Sequence, residues 1–277
     1  MDWSSLQNWL ATADILVVAG TLFGSMCVAV IAGRVLRIWH DRRKTHDTEE
    51  ESQESYVVTA VLGLLALLMG FSFSLAVDRF DARRLLVVQE ANAIGTAYLR
   101  VQLLGEPHRA RMSDLLIRYE SNRLKLAQAK PGQTDALLSI NDALLTDLWA
   151  ATAAAFDSVK GIDFSSEFVE SMNEVIDLDA SRKAARQARV PAPVFVVLFV
   201  CLVTSACVLG YVMSQVTGRL ASGALLILLT IVLMLIVDID RPTLGGINEG
   251  QKPMEDLQKS LAGWPPSVFD RWRVPSR

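Results

Sequence analysis

Residues 56–104 read YVVTAVLGLLALLMGFSFSLAVDRFDARRLLVVQEANAIGTAYLRVQLL. The first part, Tyr56 to Val77, is an apolar run of the length a helix needs to cross the roughly 30 Å hydrocarbon core of a bilayer. No proline or Gly-Pro break follows it, so the helical pattern is expected to continue to the Gly105-Glu106-Pro107 punctuation. Val87, Ala91, Ile94, Tyr98 and Val101 recur at spacings of four and three, the seam of a coiled coil or bundle helix. One rod over these 49 residues is roughly 73 Å long. A membrane span and an extramembrane domain built on it would move as one piece.

Three further runs, residues 13–33, 194–213 and 220–237, have the same apolar character, which predicts four spans. The whole composition agrees. Of 277 residues 51% are hydrophobic and 21% charged, with a net charge of -3, and the mean hydropathy is +0.31. Disorder and nucleic-acid binding are poor fits to such a chain. Met1-Asp2-Trp3 lacks the basic start of a signal peptide, and the first run is long and followed by Arg34, Arg37, Arg42, Arg43 and Lys44, so this span is expected to be retained. Cys27, Cys201 and Cys207 fall inside the spans and read as buried thiols.

Between spans two and three, residues 109–129 place Met112, Leu115, Tyr119 and Leu126 on one face, residues 134–160 carry Leu138, Leu145, Trp149 and Phe156, and residues 165–189 carry Phe168, Met172 and Val175. No alternating strand pattern occurs there. The expected fold is an all-α integral membrane protein, four transmembrane helices with a helical extramembrane bundle inserted between spans two and three. Its parts are a first transmembrane helix and charged connector (1–55), a second transmembrane helix (56–77), the helical domain (78–192), a transmembrane hairpin (193–238) linked around Ser214 to Gly218, and a C-terminal tail (239–277). The connector, basic and then acidic at Glu49, Glu50, Glu51 and Glu54, reads as solvated. The tail holds a short helix around Met254 to Leu261, then Trp264, Pro265, Pro266, Phe269 and Trp272, which dock on the domain or lie at the membrane surface.

Gly20 and Gly24, spaced as G-x-x-x-G, predict a close helix approach in span one. In span two, Ala60, Gly63, Leu67, Gly70 and Ser74 form a stripe leading to Asp78, either a close-packing face or a pore wall narrow at Leu67. Phe71 and Phe73 lie elsewhere on that helix and would form a hydrophobic constriction under a different rotation. Spans two and four run the same way, so Asp78, Arg79, Asp81, Arg83, Arg84, Asp238, Asp240 and Arg241, with Asp14, are candidates for one charge belt at the membrane boundary. Such a belt is either a set of ion pairs fixing helix ends or an ion-binding vestibule at a pore mouth.

No Walker loop, nucleophile elbow, H-E-x-x-H or dinucleotide fingerprint occurs, so an enzyme is not expected. His40-Asp41 and His46-Asp47 are weak metal pairs in the connector, and neither a metal nor a cofactor is expected. The expected partners are the lipid bilayer, further copies of the chain and small ions. The basic residues after span one place the connector in the cytoplasm and the helical domain outside, in a bacterial inner membrane.

Gly63-Leu64-Leu65-Ala66-Leu67-Leu68 with Gly70-Phe71, then Arg79-Phe80-Asp81-x-Arg83-Arg84 with Glu90-Ala91-Asn92-Ala93-Ile94-Gly95-Thr96-x-Tyr98-Leu99-Arg100, and finally Asp238-Ile239-Asp240-Arg241-Pro242 with Gly245 and Pro253-Met254, resemble the bestrophin-like domain family. These are four-span membrane proteins related in name to the bestrophins, pentameric ion channels with a pore lined by the second span and a helical cytosolic vestibule. The resemblance implies a homo-oligomeric channel or passive conduit for small ions, and a domain on the cytoplasmic side, opposite to the loop-charge count. The Pro-Phe-Gly segment and the acidic calcium clasp of bestrophins are missing, so calcium gating is not implied. The alternative is a non-conducting envelope signalling or scaffold protein whose helical domain binds a ligand or partner.

Overall fold

The computed structural model describes residues 3–42, 48–130, 132–213, 216–242 and 245–271. Met1, Asp2, Arg43, Lys44, His46, Asp47, Pro131, Ser214 and Trp272 lie outside them. Helices follow in the order α1 (Trp3–Thr12), α2 (Ile15–Asp41), α3 (Thr48–Val101), α4 (His108–Ala127), α5 (Thr134–Val159), α6 (Phe164–Gln187), α7 (Ala192–Val212), α8 (Val216–Asp240) and α9 (Lys252–Gly263), with a 3-10 turn at Pro266–Asp270. Among the described residues there is no strand. Among the described residues four helices are long and apolar enough to cross a membrane.

The helical stretches are longer than the apolar runs that announce them. α2 continues through the basic stretch to Asp41 and α3 starts at Thr48, so the predicted connector is helical on both sides of residues 43–47. His40, expected there in solvent, instead sits on α2 with Nδ1 2.5 Å from the Tyr211 hydroxyl, while the Arg37 guanidinium lies 5.3 Å over that ring. The charged residues did not stop the helix because Lys and Arg are good helix formers and no Gly or Pro intervenes. α1 was not foreseen. It ends just before Asp14, whose carboxylate accepts from the Leu16 amide at 2.8 Å and caps α2.

The described chain divides into two compact units, Met1–Phe80 with Ala188–Asn248, and Asp81–Gln187 with Glu249–Arg277. In the first, α2, α3, α7 and α8 bury Leu22, Met26, Leu65, Met69, Leu198, Leu202, Leu226 and Leu233 against one another. α2 and α7 make its closest pair. A Cβ on Gly33 would stand 2.0 Å from the Cys207 carbonyl oxygen, and one on Gly210 would stand 2.2 Å from that of Val30. Within the protomer the close approach of α2 occurs roughly two to four turns beyond Gly20 and Gly24, since nothing lies within 4 Å of a Cβ at either of those two positions. Small residues are needed only where backbones cross, and a pair spaced four apart marks a smooth face, not the crossing itself.

The second unit packs the distal half of α3 with α4, α5 and α6 around Ile94, Tyr98, Met112, Leu116, Leu148, Phe168 and Met172. The seam Val87, Ala91, Ile94, Tyr98 and Val101 is buried throughout, as its spacing predicts. The α5 face differs from expectation. Trp149 and Phe156 are exposed, and Leu144, Leu148, Ala151, Ala155 and Val159 face the core. The core face of α5 is thus carried by aliphatic side chains of mixed size, rotated away from the side on which Trp149 and Phe156 lie. The tail docks on this unit: Met254 and Leu261 enter its core, the Tyr98 hydroxyl donates to the Trp264 carbonyl at 2.7 Å, and Arg109 grips Asp270 through two hydrogen bonds of 2.6 and 3.1 Å.

The α2 and α7 crossing leaves no room for a methyl group because backbone atoms occupy the space. Gly210→Ala should therefore destabilise the detergent-solubilised protein by about 1–3 kcal/mol, measured by thermal unfolding, and Gly24→Ala should leave the unfolding temperature unchanged.

Candidate functional site

Helix α3 presents two different faces. Val58, Leu65, Met69, Ser72 and Ala76 are buried within the first unit, and they follow at the three and four spacing of one helix side. Ala60, Gly63, Leu67, Gly70 and Ser74 occupy the other side and are all exposed. Nothing lies within 4 Å of a Cβ built on Gly63 or Gly70. The small-residue stripe thus packs against no part of its own protomer among the described residues. Phe71 and Phe73 are exposed as well, at 66% and 38%. Further along α3, in the second unit, Asp81, Leu85, Val88, Asn92, Thr96 and Leu99 repeat the spacing and are also exposed.

The charged candidates separate by environment. Asp78, Asp81 and Arg84 are exposed on α3 and Arg79 is half-buried. Arg83 is buried and its Nε lies 2.8 Å from Glu249, an acid that sequence spacing did not flag. In the first unit Asp238 accepts from the Gly246 and Ile247 amides at 2.8 and 3.0 Å, and a Cβ on Gly245 would fall 2.6 Å from the Asp238 carbonyl oxygen. The Asp238 carboxylate thus ties Gly246 and Ile247 back to the end of α8. Asp240 accepts from the Val190 amide at 2.9 Å. Arg241 donates to the Leu10 carbonyl at 2.8 Å, with Asp238, Asp14 and Arg189 in electrostatic reach.

The largest polar constellation lies in the core of the second unit. Glu90 is fully buried and receives the Tyr119 hydroxyl at 2.7 Å, Arg123 at 2.9 Å and Arg182. Asp179 takes Arg123 at 3.0 Å, the Asn141 amide at 3.0 Å and Lys183 at 2.7 Å, and Lys183 also reaches Asp142 at 2.6 Å. Burial and the Glu90 charge push the Tyr119 phenol well above its ordinary range, so it stays a donor. The network reads as packing specificity by charge pairing. Its one signal in the sequence is Glu90 itself, a charge inside an otherwise apolar seam. Among the described residues no group of three or more His, Cys, Asp or Glu side chains is placed to hold a metal ion.

A model of the bestrophin-like domain matches residues 22–248. The chain belongs to the bestrophin-like domain family. Two solved structures share this bestrophin-like fold. One is a membrane protein carrying a proline-to-alanine substitution, 13% identical, with a TM-score of 0.65 over 91% of this chain and 98% of that one. The other is a bacterial bestrophin homologue from Klebsiella pneumoniae carrying an isoleucine-to-threonine mutation, 12% identical, with a TM-score of 0.63 over 88% of this chain and 98% of that one. No curated protein matches the chain. Family and apolar helices together make this bestrophin-like chain an integral membrane protein.

Two ionisable groups allow direct tests. Glu90→Ala would strand Arg123 and Arg182 without their shared carboxylate in the core, and should cost about 3–5 kcal/mol of stability in the second unit, read by thermal unfolding. Glu120, on α4, is 1% exposed, with Ser121 and Gln258 of α9 at 3.2 and 3.4 Å, and burial pushes its carboxyl up to about 7. A raised folded-state value favours the protonated form, so the stabilisation is complete below the unfolded value and is lost as pH rises through about 7. Hydrogen-exchange protection in α9, each rate taken relative to the base-catalysed rate of an unstructured amide at the same pH, should be greatest in mild acid and fall towards pH 8, and Glu120→Gln should flatten that dependence.

Proposed function

We propose that this protein is a homo-oligomeric membrane conduit for small ions, in which the exposed face of α3 lines or braces the pore and the second unit is an extramembrane helical bundle. The observation that carries this reading is the uncovered stripe Ala60, Gly63, Leu67, Gly70 and Ser74, which no helix of the protomer packs against among the described residues. Close helix approach through small residues is a standard way to associate in lipid. A four-span protomer needs further copies to enclose a pore, and identical copies close into a ring by rotation. Membership of the bestrophin-like family and the fold shared with a bacterial bestrophin homologue support the same reading.

Within such a ring, Leu67 supplies an apolar constriction and Asp78 a polar exit. Side chains of that kind carry ions without bond-making chemistry, which agrees with the lack of any enzyme signature in the sequence.

The purified protein in liposomes, assayed for potassium and chloride flux separately, tests this. Gly70→Leu should assemble normally and conduct at least about tenfold less, because the added side chain meets nothing in its own protomer, and Asp78→Ala should change the ratio of the two ions. Loss of the oligomer in Gly70→Leu would make the stripe a subunit contact. Absence of flux from an intact oligomer of the unsubstituted protein would favour the non-conducting signalling or scaffold protein.

A further inference from the structure

In the first unit, α1, α2, α7 and α8 line an apolar slot of about 350 Å³, within the size range of small-molecule pockets. Leu6 and Leu10 of α1, Leu22 of α2, Phe199 of α7, and Leu233 and Met234 of α8 are among the side chains that line it. The lining has little to offer a polar ligand: the Thr21 hydroxyl is engaged with the Val18 carbonyl at 2.9 Å, which leaves the Trp9 indole. Water has no reason to fill such a slot, and a hydrocarbon chain does.

The slot shares Leu10, Phe195 and Val237 with a second, much smaller depression of about 10 Å³, lined also by Arg189, Asp240 and Arg241. That volume holds a single oxygen-sized group. Arg241 is 4% exposed. Its Nε is bonded to the Leu10 carbonyl, and its Nη2 is buried with no hydrogen-bond partner. A buried guanidinium donor left without an acceptor is costly. The nearby carboxylates are engaged with backbone amides: Asp14 with Leu16, Asp238 with Gly246 and Ile247, and Asp240 with Val190.

We infer that this is a binding site for an anionic amphiphile, with an acyl chain in the slot and one oxygen of a carboxylate or phosphate accepting from Arg241 Nη2. The two parts of the site suit the two ends of such a molecule, and each end supplies what its part lacks. Arg189 adds a second positive charge beside the depression. A free fatty acid and an anionic phospholipid both have this chemistry, and the site stands whether or not the protein conducts ions.

Native mass spectrometry of the full-length protein in detergent, titrated with oleate, dioleoylphosphatidylglycerol and dioleoylphosphatidylcholine, tests the assignment. The two anions should be retained about tenfold or more tightly than the zwitterion, the size expected of one charge-assisted hydrogen bond. Arg241→Gln should abolish the preference, and Arg241→Lys should restore part of it. Met234→Trp fills the slot without touching Arg241 and should expel all the probes. Retention of oleate alone identifies a free fatty acid as the ligand, and retention of phosphatidylglycerol alone a membrane lipid. Equal retention of all probes overturns the inference, as does a preference that survives Arg241→Gln. Should Arg241→Gln fail to fold, Met234→Trp decides, and unchanged binding in that variant overturns it.

Discussion

The contact on which the membrane-spanning unit depends is one of backbone against backbone, where Gly33 of α2 meets Cys207 and Gly210 of α7 meets Val30. Lipid is as apolar as a leucine side chain, so there is little hydrophobic gain in bringing two spans together, and what holds them is close packing. The two glycines make that packing possible by letting the helix axes approach until carbonyl oxygens touch the opposite helix. With α2 and α7 locked, α3 and α8 fill the remaining side through leucine and methionine. α3 is left with one face in the core and the opposite face bare.

The second unit solves a different problem. Its surface is set in water in the proposed arrangement, and its core can therefore rely on burial, which Ile94, Tyr98, Phe168 and Met172 supply. Yet the middle of that core holds Glu90, Asp179, Arg123, Arg182 and Lys183 in one connected net. Such a net adds little stability over an apolar core and makes any other helix register expensive, because a slip leaves a charge alone. Four helices with smooth apolar faces could slide past one another. These cannot.

Apolar run length made the four spans legible, and the three-four spacing of Val87, Ala91, Ile94, Tyr98 and Val101 announced the core side of α3 correctly. Both signals are local, carried by residues within one helix. What the sequence hid were contacts between distant segments. Gly33 and Gly210 are ordinary glycines until the helices cross, and Gly20 and Gly24, with the better motif, touch nothing. Trp149 and Phe156 had the bulk expected of core residues, but the core face of α5 runs through Leu144, Leu148, Ala151, Ala155 and Val159 instead. The small-residue stripe of α3 was readable as a stripe. Whether it met another helix required the fold, as did the engagement of Asp238 and Asp240 with backbone amides and the partnering of Arg83 by Glu249.

The docking of α9 onto α3 and α4 has a consequence for synthesis. The Tyr98 hydroxyl and the Trp264 carbonyl that it holds are separated by 166 positions in the chain, and α7 and α8 intervene. As the ribosome delivers the chain from its amino end, α3 to α6 emerge long before Met254 and Leu261, which fill part of their core. That core must wait, incomplete, while α7 and α8 are threaded into the bilayer, and it closes only once Met254 and Leu261 have been made. Maturation of the second unit is thus gated by α9, and a chain stalled before that helix keeps an open apolar face that quality-control proteases can find.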